Sequence, residues 1–561
     1  SSFSIRAKTY ELSGISNMYA GGPKPRVEYA TVGGYQEYHD FDVNVVHQSG
    51  STRKLKSFQY DFFSSAKDFQ EIEFSEINSQ GKLILQVVPK PSSTNGNAIS
   101  FAYGIVSYPQ NSTLQGSNMF FYTDSTRSAS QYFEYSNIDI NVVAYDVTEG
   151  HDPVRIAGHN LGLKKGFVIR GNEKSRKILL ANTAKAYRAS RKVDKVVFRQ
   201  IIPANHNYII ITNKRLMKVA SGAELPAPRA YAAYRASEIG GGYDTLLIDM
   251  DQIVDQFHYG EFSSNAIKRM MSYLRSSPNP KLAIIIGKGL VYADDTYRLI
   301  NKQYSYYHIG ARHPKVRELD LVPTGISPSS DLIFSADFRE NSFVPIIPTG
   351  RISVSTPEEV VAYLNKVKEY EATPDGEPWR KNILQLGGGT SVSEINSIAS
   401  YLRSYKQIAE GPLLGGNVVE KYRQNVSEVV ETVNVSEEVN NGLSLITFFG
   451  HSSPGTTDLD IGFASNPLNN YKNKGKYPVL LMNGCNIGNA FVPNSTSFGE
   501  DWLKTPDKGA VALIAHVDAG YPSFLNLYTS YFYSTAFQDE AFYRKTLGEV
   551  QQETIRKVMK A

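Results

Sequence analysis

Residues 445–451 read Leu-Ile-Thr-Phe-Phe-Gly-His, and residues 479–485 read Val-Leu-Leu-Met-Asn-Gly-Cys. Each stretch is a short apolar run that leads through a glycine to a chemically reactive side chain. Continuous apolar runs of this length are typical of parallel strands, because helices cover both faces of a parallel sheet. Reactive groups collect at the carboxyl ends of such strands. The two stretches therefore predict an α/β fold with a reactive site at one edge of a sheet.

The same kind of apolar run recurs throughout the chain after residue 200. Such runs occupy 208–211, 246–248, 283–286, 383–386 and 511–514. Amphipathic helices are predicted between them: apolar residues fall at helical spacing at 267, 270, 271 and 274, and Thr356-Pro357-Glu358-Glu359 combines an N-cap, a first-turn proline and a capping-box glutamate. This alternation predicts an α/β region with mostly parallel sheets flanked by helices, in two subdomains.

The first part of the chain has a different pattern. Residues 41–45 and 138–143 alternate apolar and polar side chains, and turn-forming segments such as 91–97 separate such stretches. Strict alternation predicts half-buried strands. We therefore expect a β-rich N-terminal domain at 1–160, a first α/β subdomain at 161–325, and a catalytic α/β subdomain at 326–561.

Residues 164–199 are expected to form a basic connector within the first α/β subdomain. This segment contains twelve Lys or Arg residues against Glu173 and Asp194. It could bind an anionic partner, such as a phosphorylated lipid or an acidic segment, or it could be an ordinary solvated surface.

Composition excludes several classes of protein. Lys and Arg number 59 and Asp and Glu number 55, which leaves a net charge of +4 in 561 residues and does not favour nucleic acid as a partner. The single cysteine, Cys485, rules out an internal disulfide and a four-cysteine zinc site within the chain.

Cys485 and His451 are the candidate catalytic residues. If their two strands are neighbours, the imidazole can favour the thiolate, which is the nucleophilic form of a cysteine. The backbone N–H groups of Ser452 and Cys485 could then stabilise the oxyanion of a tetrahedral intermediate. His516 is the rival base, because it also follows an apolar run.

These segments resemble the gingipain-type cysteine peptidases of the caspase-like clan. The resemblance covers about residues 155–560, and the motifs that carry it are 330–332, 348–354, 449–451, 482–485, 497–500 and 509–512. Segments 158–163, 252–260 and 266–269 are similar to the members of that family that act as sortases of the type IX secretion system. Where the family usually has a glycine after the catalytic histidine, this chain has Ser452.

The resemblance implies a mechanism and a set of further residues. Cys485 would form a thioester with a scissile peptide, and His451 would activate the thiol and protonate the leaving amine. Asp331, or alternatively Asp337, would be the acidic residue that orients the histidine or lines the substrate pocket. The resemblance implies no catalytic metal or other cofactor, although Asp294-Asp295 could contact a structural calcium ion.

The resemblance also implies partners and a location. The substrates would be the C-terminal signal domains of secreted cargo proteins, and the acceptor would be an anionic lipopolysaccharide. A PorV-like outer-membrane protein would be the secretion partner, and the enzyme would lie on the extracellular face of the bacterial outer membrane after export through a cleaved signal peptide that this chain lacks. A secreted gingipain-like endopeptidase and a non-catalytic secretion scaffold with the same fold are the alternative functions.

Overall fold

The structure of the chain is a computed structural model. It describes residues 7–33, 38–61, 64–90, 99–124, 129–150, 152–171, 175–185, 195–279, 281–290, 318–325, 329–336, 342–492 and 495–561. The chain divides into two units, Ser1–Val193 and Asp194–Ala561.

The first unit is built from antiparallel strands. They are β1 (Lys8–Leu12), β2 (Arg26–Gly33), β3 (Tyr38–Val46), β4 (Thr52–Asp61), β5 (Ser65–Glu71), β6 (Leu83–Pro89), β7 (Ile99–Ser107), β8 (Asn118–Tyr122), β9 (Gln131–Ser136), β10 (Val142–Asp146), β11 (Val154–Ile156), β12 (Gly158–Leu161), β13 (Lys164–Ile169) and β14 (Lys177–Asn182). Their sheets have the strand orders β1-β6-β3-β4, β5-β2-β7, β11-β10-β14-β8 and β12-β13-β9. Alternate residues such as Val27, Tyr29, Val43 and Val45 are fully buried, which confirms the predicted β-rich character.

The prediction that residues 164–199 form a basic connector is wrong for the first half of that segment. β13 and β14 lie there, and both belong to sheets of the first unit. β13 pairs with β9 and β12, and β14 pairs with β8 and β10. The side chain of Lys165 is buried, and its Nζ donates to the backbone carbonyls of Ile140 and Val142 at 2.8 and 2.7 Å. The boundary expected at residue 160 therefore lies at Val193, since a strand belongs to the domain with which it pairs.

The second unit alternates strands and helices, as predicted. Its strands are β15 (Tyr208–Thr212), β16 (Thr245–Asp249), β17 (Leu282–Ile286), β18 (Thr349–Ile352), β19 (Asn382–Gly387), β20 (Asn417–Tyr422), β21 (Glu431–Thr432), β22 (Leu445–Phe449), β23 (Ser452–Ser453), β24 (Thr456–Thr457), β25 (Leu459–Asp460), β26 (Val479–Asn483) and β27 (Ala512–Ala515). Its helices are α1 (Ala227–Ala236), α2 (Met250–Phe257), α3 (Ser264–Leu274), α4 (Pro357–Ala372), α5 (Val392–Ala409), α6 (Ser436–Asn441), α7 (Phe498–Lys504), α8 (Pro522–Phe537) and α9 (Leu547–Val558).

Two parallel sheets form the framework of this unit. The first has the order β16-β15-β17-β18, and the second has the order β20-β19-β22-β26-β27. Buried apolar side chains lie on both faces of each sheet, in four clusters. Helices cover both faces, which is why the strands are apolar throughout rather than alternating.

The subdomain boundary expected at 325/326 is also displaced. β18 lies well beyond residue 326, yet it pairs in parallel with β17 of the first sheet, with Ala283 opposite Thr349 and Ile285 opposite Arg351. The second sheet begins only with β19. An apolar run in the sequence predicts that a strand forms. Which strand it pairs with depends on tertiary packing, which no local pattern encodes.

Helix α4 begins where its capping residues predict, and α5 begins with a similar cap. Thr356 and Glu359 form a capping box at the start of α4, and the Ser391 hydroxyl accepts from the Glu394 N–H at the start of α5. The apolar residues at 267, 270, 271 and 274 are fully buried on α3. None of the helices in the described ranges has the length and apolar composition that a membrane span requires.

A buried lysine joins α4 to α7. Lys366 Nζ donates to the carbonyls of Trp502, Leu503 and Ala510 at 2.8, 3.1 and 3.4 Å, so the amine satisfies carbonyls at the C-terminal end of α7. Burial lowers the pKa of Lys366 to about 7, against the opposing effect of Asp501 and other nearby carboxylates. At pH values between about 7 and the ordinary lysine pKa of about 10.4, the amine of Lys366 gains a proton when the protein unfolds. The contribution of Lys366 to the free energy of unfolding therefore rises with pH in this range.

We expect the free energy of unfolding of the wild type, relative to that of Lys366→Met, to rise between about pH 7 and about pH 9. Urea denaturation at both pH values measures this difference. Lys368→Met is the matched control, because Lys368 is exposed on the same helix and its replacement should leave the pH dependence as in the wild type. The same pH dependence in Lys366→Met and in the wild type would contradict the assignment.

Candidate active site

The two reactive loops leave neighbouring strands in the same register. β22 and β26 pair in parallel, with Phe449 opposite Asn483, and the Gly450 N–H extends the ladder by donating to the Asn483 carbonyl at 3.0 Å. His451 and Cys485 each follow two residues beyond that pair. The predicted condition that the two strands be neighbours is therefore met, and the imidazole and thiol belong to adjacent loops at one sheet edge.

The thiol of Cys485 is partly exposed and lies against the segment that enters α8. Its Sγ accepts from the Gly520 N–H at 3.3 Å and lies 3.8 Å from the Gly520 carbonyl oxygen. Within the described ranges, no hydrogen bond joins Sγ to the His451 ring. Catalytic pairs are often held loosely in free enzymes and tighten when substrate binds.

The imidazole of His451 is held by a carboxylate. Its Nε2 lies 2.8 Å from Glu394 Oε1, and the imidazole side chain is 54% exposed, so substrate can reach it. The other carboxylate oxygen of Glu394 accepts from the N–H and the hydroxyl of Thr390, both at 2.7 Å. Partial burial would raise the pKa of Glu394, but the hydrogen bonds from Thr390 and His451 outweigh burial and lower it. The carboxylate is thus kept ionised beside the base.

Asp458 fixes the backbone that carries His451. Its N–H donates to the His451 carbonyl at 2.9 Å, and its buried carboxylate accepts from the Gly389 N–H at 2.7 Å. A Cβ on Gly388 would lie 2.0 Å from Asp458 Oδ1, and one on Gly450 would lie 2.5 Å from it. Both positions therefore need glycine, since the carboxylate occupies the space of a side chain. This contact joins the loop of His451 to the loop that leads into α5 and Glu394.

Ser452 joins the histidine loop to the cysteine loop. Its Oγ donates to the carbonyl of Cys485 at 2.8 Å. A Cβ on Gly484 would lie 2.1 Å from Ser452 Oγ, so a side chain at position 484 would displace the serine hydroxyl from this contact. The serine that replaces the usual family glycine thus has a specific contact in this chain.

The two predicted oxyanion donors lie beside the candidate base and at the candidate nucleophile. Ser452 pairs with Thr457 in the β23–β24 hairpin, and the carbonyl of the preceding His451 accepts from the Asp458 N–H at 2.9 Å. The N–H of Cys485 has no acceptor within the described ranges. Their role as an oxyanion hole stays a prediction.

Asp331 bonds to groups other than His451, and its alternative role in a substrate pocket stays a prediction. Both carboxylate oxygens of Asp331 bond to Arg351, at 2.7 and 2.8 Å, and one also accepts from Thr324 at 2.9 Å. Arg351 lies on β18, so Asp331 is committed to the first sheet. Asp337, the alternative, lies outside the described residues.

Glu394 is the carboxylate that the sequence analysis missed. It lies one turn into α5, directly after β19, and β19 is the strand next to β22 on the side away from β26. The signal was present in the sequence as a capping serine and a glutamate at the carboxyl end of an apolar run. It could not be assigned to His451 without knowing which strand lies beside β22.

His516 lies on the other side of the cysteine strand. β27 pairs with β26, with Ala515 opposite Met482, and the His516 carbonyl accepts from the N–H of Gly488, in the loop that follows Cys485, at 2.7 Å. No carboxylate forms an ion pair with His516 among the residues that the structure describes. His451, with its bound glutamate, is the better placed base.

The expected calcium contacts, Asp294 and Asp295, lie outside the described residues. Across the described ranges, no group of three or more His, Cys, Asp or Glu side chains is placed to hold a metal ion. The chemistry that the described residues offer is nucleophilic attack by the Cys485 sulfur, with proton transfer through His451.

One family model and several solved structures match this chain. The model of peptidase family C25 matches residues 202–561. Among solved structures, the chain is similar to dimeric latent PorU from Porphyromonas gingivalis, with 13% identity and a TM-score of 0.44; the match covers 67% of this chain and 35% of that chain. It is also similar to the Arg-specific cysteine proteinase gingipain R, with 14% identity and a TM-score of 0.46, over 65% of this chain and 75% of that chain. A search of curated proteins finds no match.

The family match spans more than half of the chain and includes Glu394, His451 and Cys485. Its boundaries lie within the second unit, which carries both parallel sheets. The thiol and imidazole at the shared sheet edge are the groups that a cysteine peptidase needs. The chain belongs to peptidase family C25, the gingipain family of cysteine peptidases.

Proposed function

We propose that this protein is a cell-surface sortase: a cysteine peptidase that removes the C-terminal signal domain of type IX secreted cargo and transfers the cargo to anionic lipopolysaccharide. The observation that carries the proposal is the common register of His451 and Cys485 beyond a paired Phe449 and Asn483. Membership in family C25 and the sortase-like motifs in the sequence support it.

The proposed reaction has two steps. In the first, the Cys485 sulfur attacks the carbonyl carbon of the scissile peptide and gives up its proton to His451. The C–N bond then breaks, His451 returns the proton to the leaving amine, and the cargo is left as a thioester on Cys485. In the second step, an amine of the acceptor attacks the thioester, an amide forms, and the thiol is released.

Glu394 supports both steps by its charge. Each step passes through a protonated imidazole, and an ionised carboxylate 2.8 Å from Nε2 stabilises that cation and fixes the plane of the ring. The surroundings of Glu394 lower its pKa, so it keeps its negative charge at neutral pH. Glu394 is thus a positioning residue, since it acts through His451.

The exposure of the His451 imidazole is compatible with a large acceptor. A thioester is hydrolysed unless the site holds an amine nucleophile better than it holds water. A half-exposed ring leaves room for an amine on a polysaccharide to approach the thioester. In this proposal a PorV-like outer-membrane protein presents the cargo on the extracellular face of the outer membrane, and a structural calcium ion can assist the fold.

The first test is product analysis with purified protein, a cargo signal-domain substrate and an amine acceptor. We expect an amide product by mass spectrometry, and we expect Cys485→Ala to reduce its formation by about 1,000-fold or more. Hydrolysis of many unrelated proteins without amide product would favour the secreted endopeptidase. Cargo maturation unchanged in Cys485→Ala would favour the non-catalytic scaffold.

The second test concerns Glu394. We expect Glu394→Gln to lower kcat by about 100-fold with little change in KM, because a misplaced or unsupported imidazole affects the transition state more than binding. Steady-state kinetics on a signal-domain peptide measures both constants. Glu410→Gln, at the far end of the same helix, is the control and should retain wild-type kcat. An unchanged kcat in Glu394→Gln would remove the glutamate from the mechanism.

A further inference from the structure

The two parallel sheets of the second unit end in edge strands that face a common cavity. β18 is an edge of the first sheet and β27 is an edge of the second. A cavity of about 760 Å³ lies between them, lined by residues 348–353 on one side and 511–515 on the other. The position is that of a missing strand between the two sheets.

The backbone of β18 offers unpaired groups to this cavity. In a parallel ladder, alternate residues direct their N–H and C=O groups to opposite sides. The carbonyls of Pro348 and Ile352 accept from β17 and the residue that follows it, so Thr349 and Arg351 face the other way. Within the described ranges, the backbone N–H and C=O groups of Thr349 and Arg351 have no partner.

The backbone of β27 also offers unpaired groups to the cavity, from the side opposite β18. Ala512 and Ile514 pair with β26, and the His516 carbonyl continues that side by accepting from the Gly488 N–H at 2.7 Å. Leu513 and Ala515 therefore face the cavity, and their backbone groups have no partner in the part of the chain that the structure describes. Open edges of this kind accept an additional strand.

The size and cover of the cavity fit one strand. A strand residue in a layered sheet occupies about 3.3 Å by 4.8 Å by 10 Å, or roughly 160 Å³, so the cavity has room for about five residues. Helix α4 lines one face through Tyr363 and Val367, and the start of α9 lines the other through Leu547 and Gly548. The helical layers of an α/β sheet are therefore already in place around the gap.

We propose that an extended peptide segment of the substrate protein inserts between β18 and β27 and joins the two sheets through backbone hydrogen bonds. Most of the charged side chains that line the cavity are paired: Arg351 with Asp331, Arg235 with Glu371, and Glu500 with Lys288, which lies outside the lining. Lys545 also lines the cavity and forms no ion pair among the described residues. Because the paired charges are neutralised, the middle of the segment should be uncharged, with alternating β-branched or small apolar side chains and no proline.

The inserted segment would lead toward the nucleophile. Gly488, Ala490 and Phe491, which line the cavity, belong to the loop that follows Cys485. A substrate chain held in the gap would therefore emerge beside the catalytic loop. This last step rests on the proposed function, whereas insertion itself needs only the two strand edges.

The test uses Cys485→Ala protein and the peptide acetyl-Lys-Val-Thr-Val-Thr-Val-Lys-amide. We expect the peptide to slow backbone hydrogen exchange about tenfold or more in both 349–352 and 512–515, as measured by mass spectrometry. Two control peptides carry N-methyl groups on the valine amides or on the threonine amides, so that each loses the donors along one edge only. Both should fail to slow exchange, because an inserted strand needs both edges.

Three outcomes would overturn the inference: no slowing in either segment, slowing in one segment only, or slowing that survives both methylations. Since Cys485→Ala carries no nucleophile, the result is independent of catalysis. Cleavage of cargo by the wild type without peptide insertion in Cys485→Ala would reject only the inserted strand. Insertion without any cleavage by the wild type would reject only the proposed function.

Discussion

The parallel pairing of β22 with β26 is the constraint on which the site depends. Five consecutive residue pairs run from Leu445 opposite Val479 to Phe449 opposite Asn483. Strands in a sheet lie about 4.8 Å apart, so two loops that leave adjacent strands at the same level must be neighbours. Backbone hydrogen bonds extend this pairing at both ends, from the Val479 N–H to the Ser444 carbonyl at 2.9 Å and from the Gly450 N–H to the Asn483 carbonyl at 3.0 Å. The register therefore places the thiol and the imidazole together before any side-chain contact is made.

Close packing of the loops adds the precision that pairing alone does not give. The Asp458 carboxylate needs glycine at 388 and 450, and Ser452 needs glycine at 484. Short side chains let the backbones approach, and the buried carboxylate and the hydroxyl then join three loops by hydrogen bonds. A substitution at these glycines would alter the site through the backbone even though none of them takes part in the reaction.

Local patterns in the sequence predicted most of the fold. Apolar runs marked β15, β17, β19, β22 and β26, and capping residues marked the start of α4. What failed were statements about partners: β13 and β14 joined the first unit, and β18 joined the first sheet. Each error concerns two segments that are distant in sequence. The local pattern of one segment carries no information about which segment lies beside it in space.

Residue type and short spacing are enough to predict that one strand leads to His451, that another leads to Cys485, and that the candidate chemistry is that of a thiol and a base. By contrast, the contact of Glu394 with His451, 57 positions away, and the open edges of β18 and β27 around a cavity depend on the order of the strands. Strand order is set by the arrangement in which the helices and sheets together bury the most apolar area. That arrangement minimises the free energy of the whole unit, so no single segment encodes it.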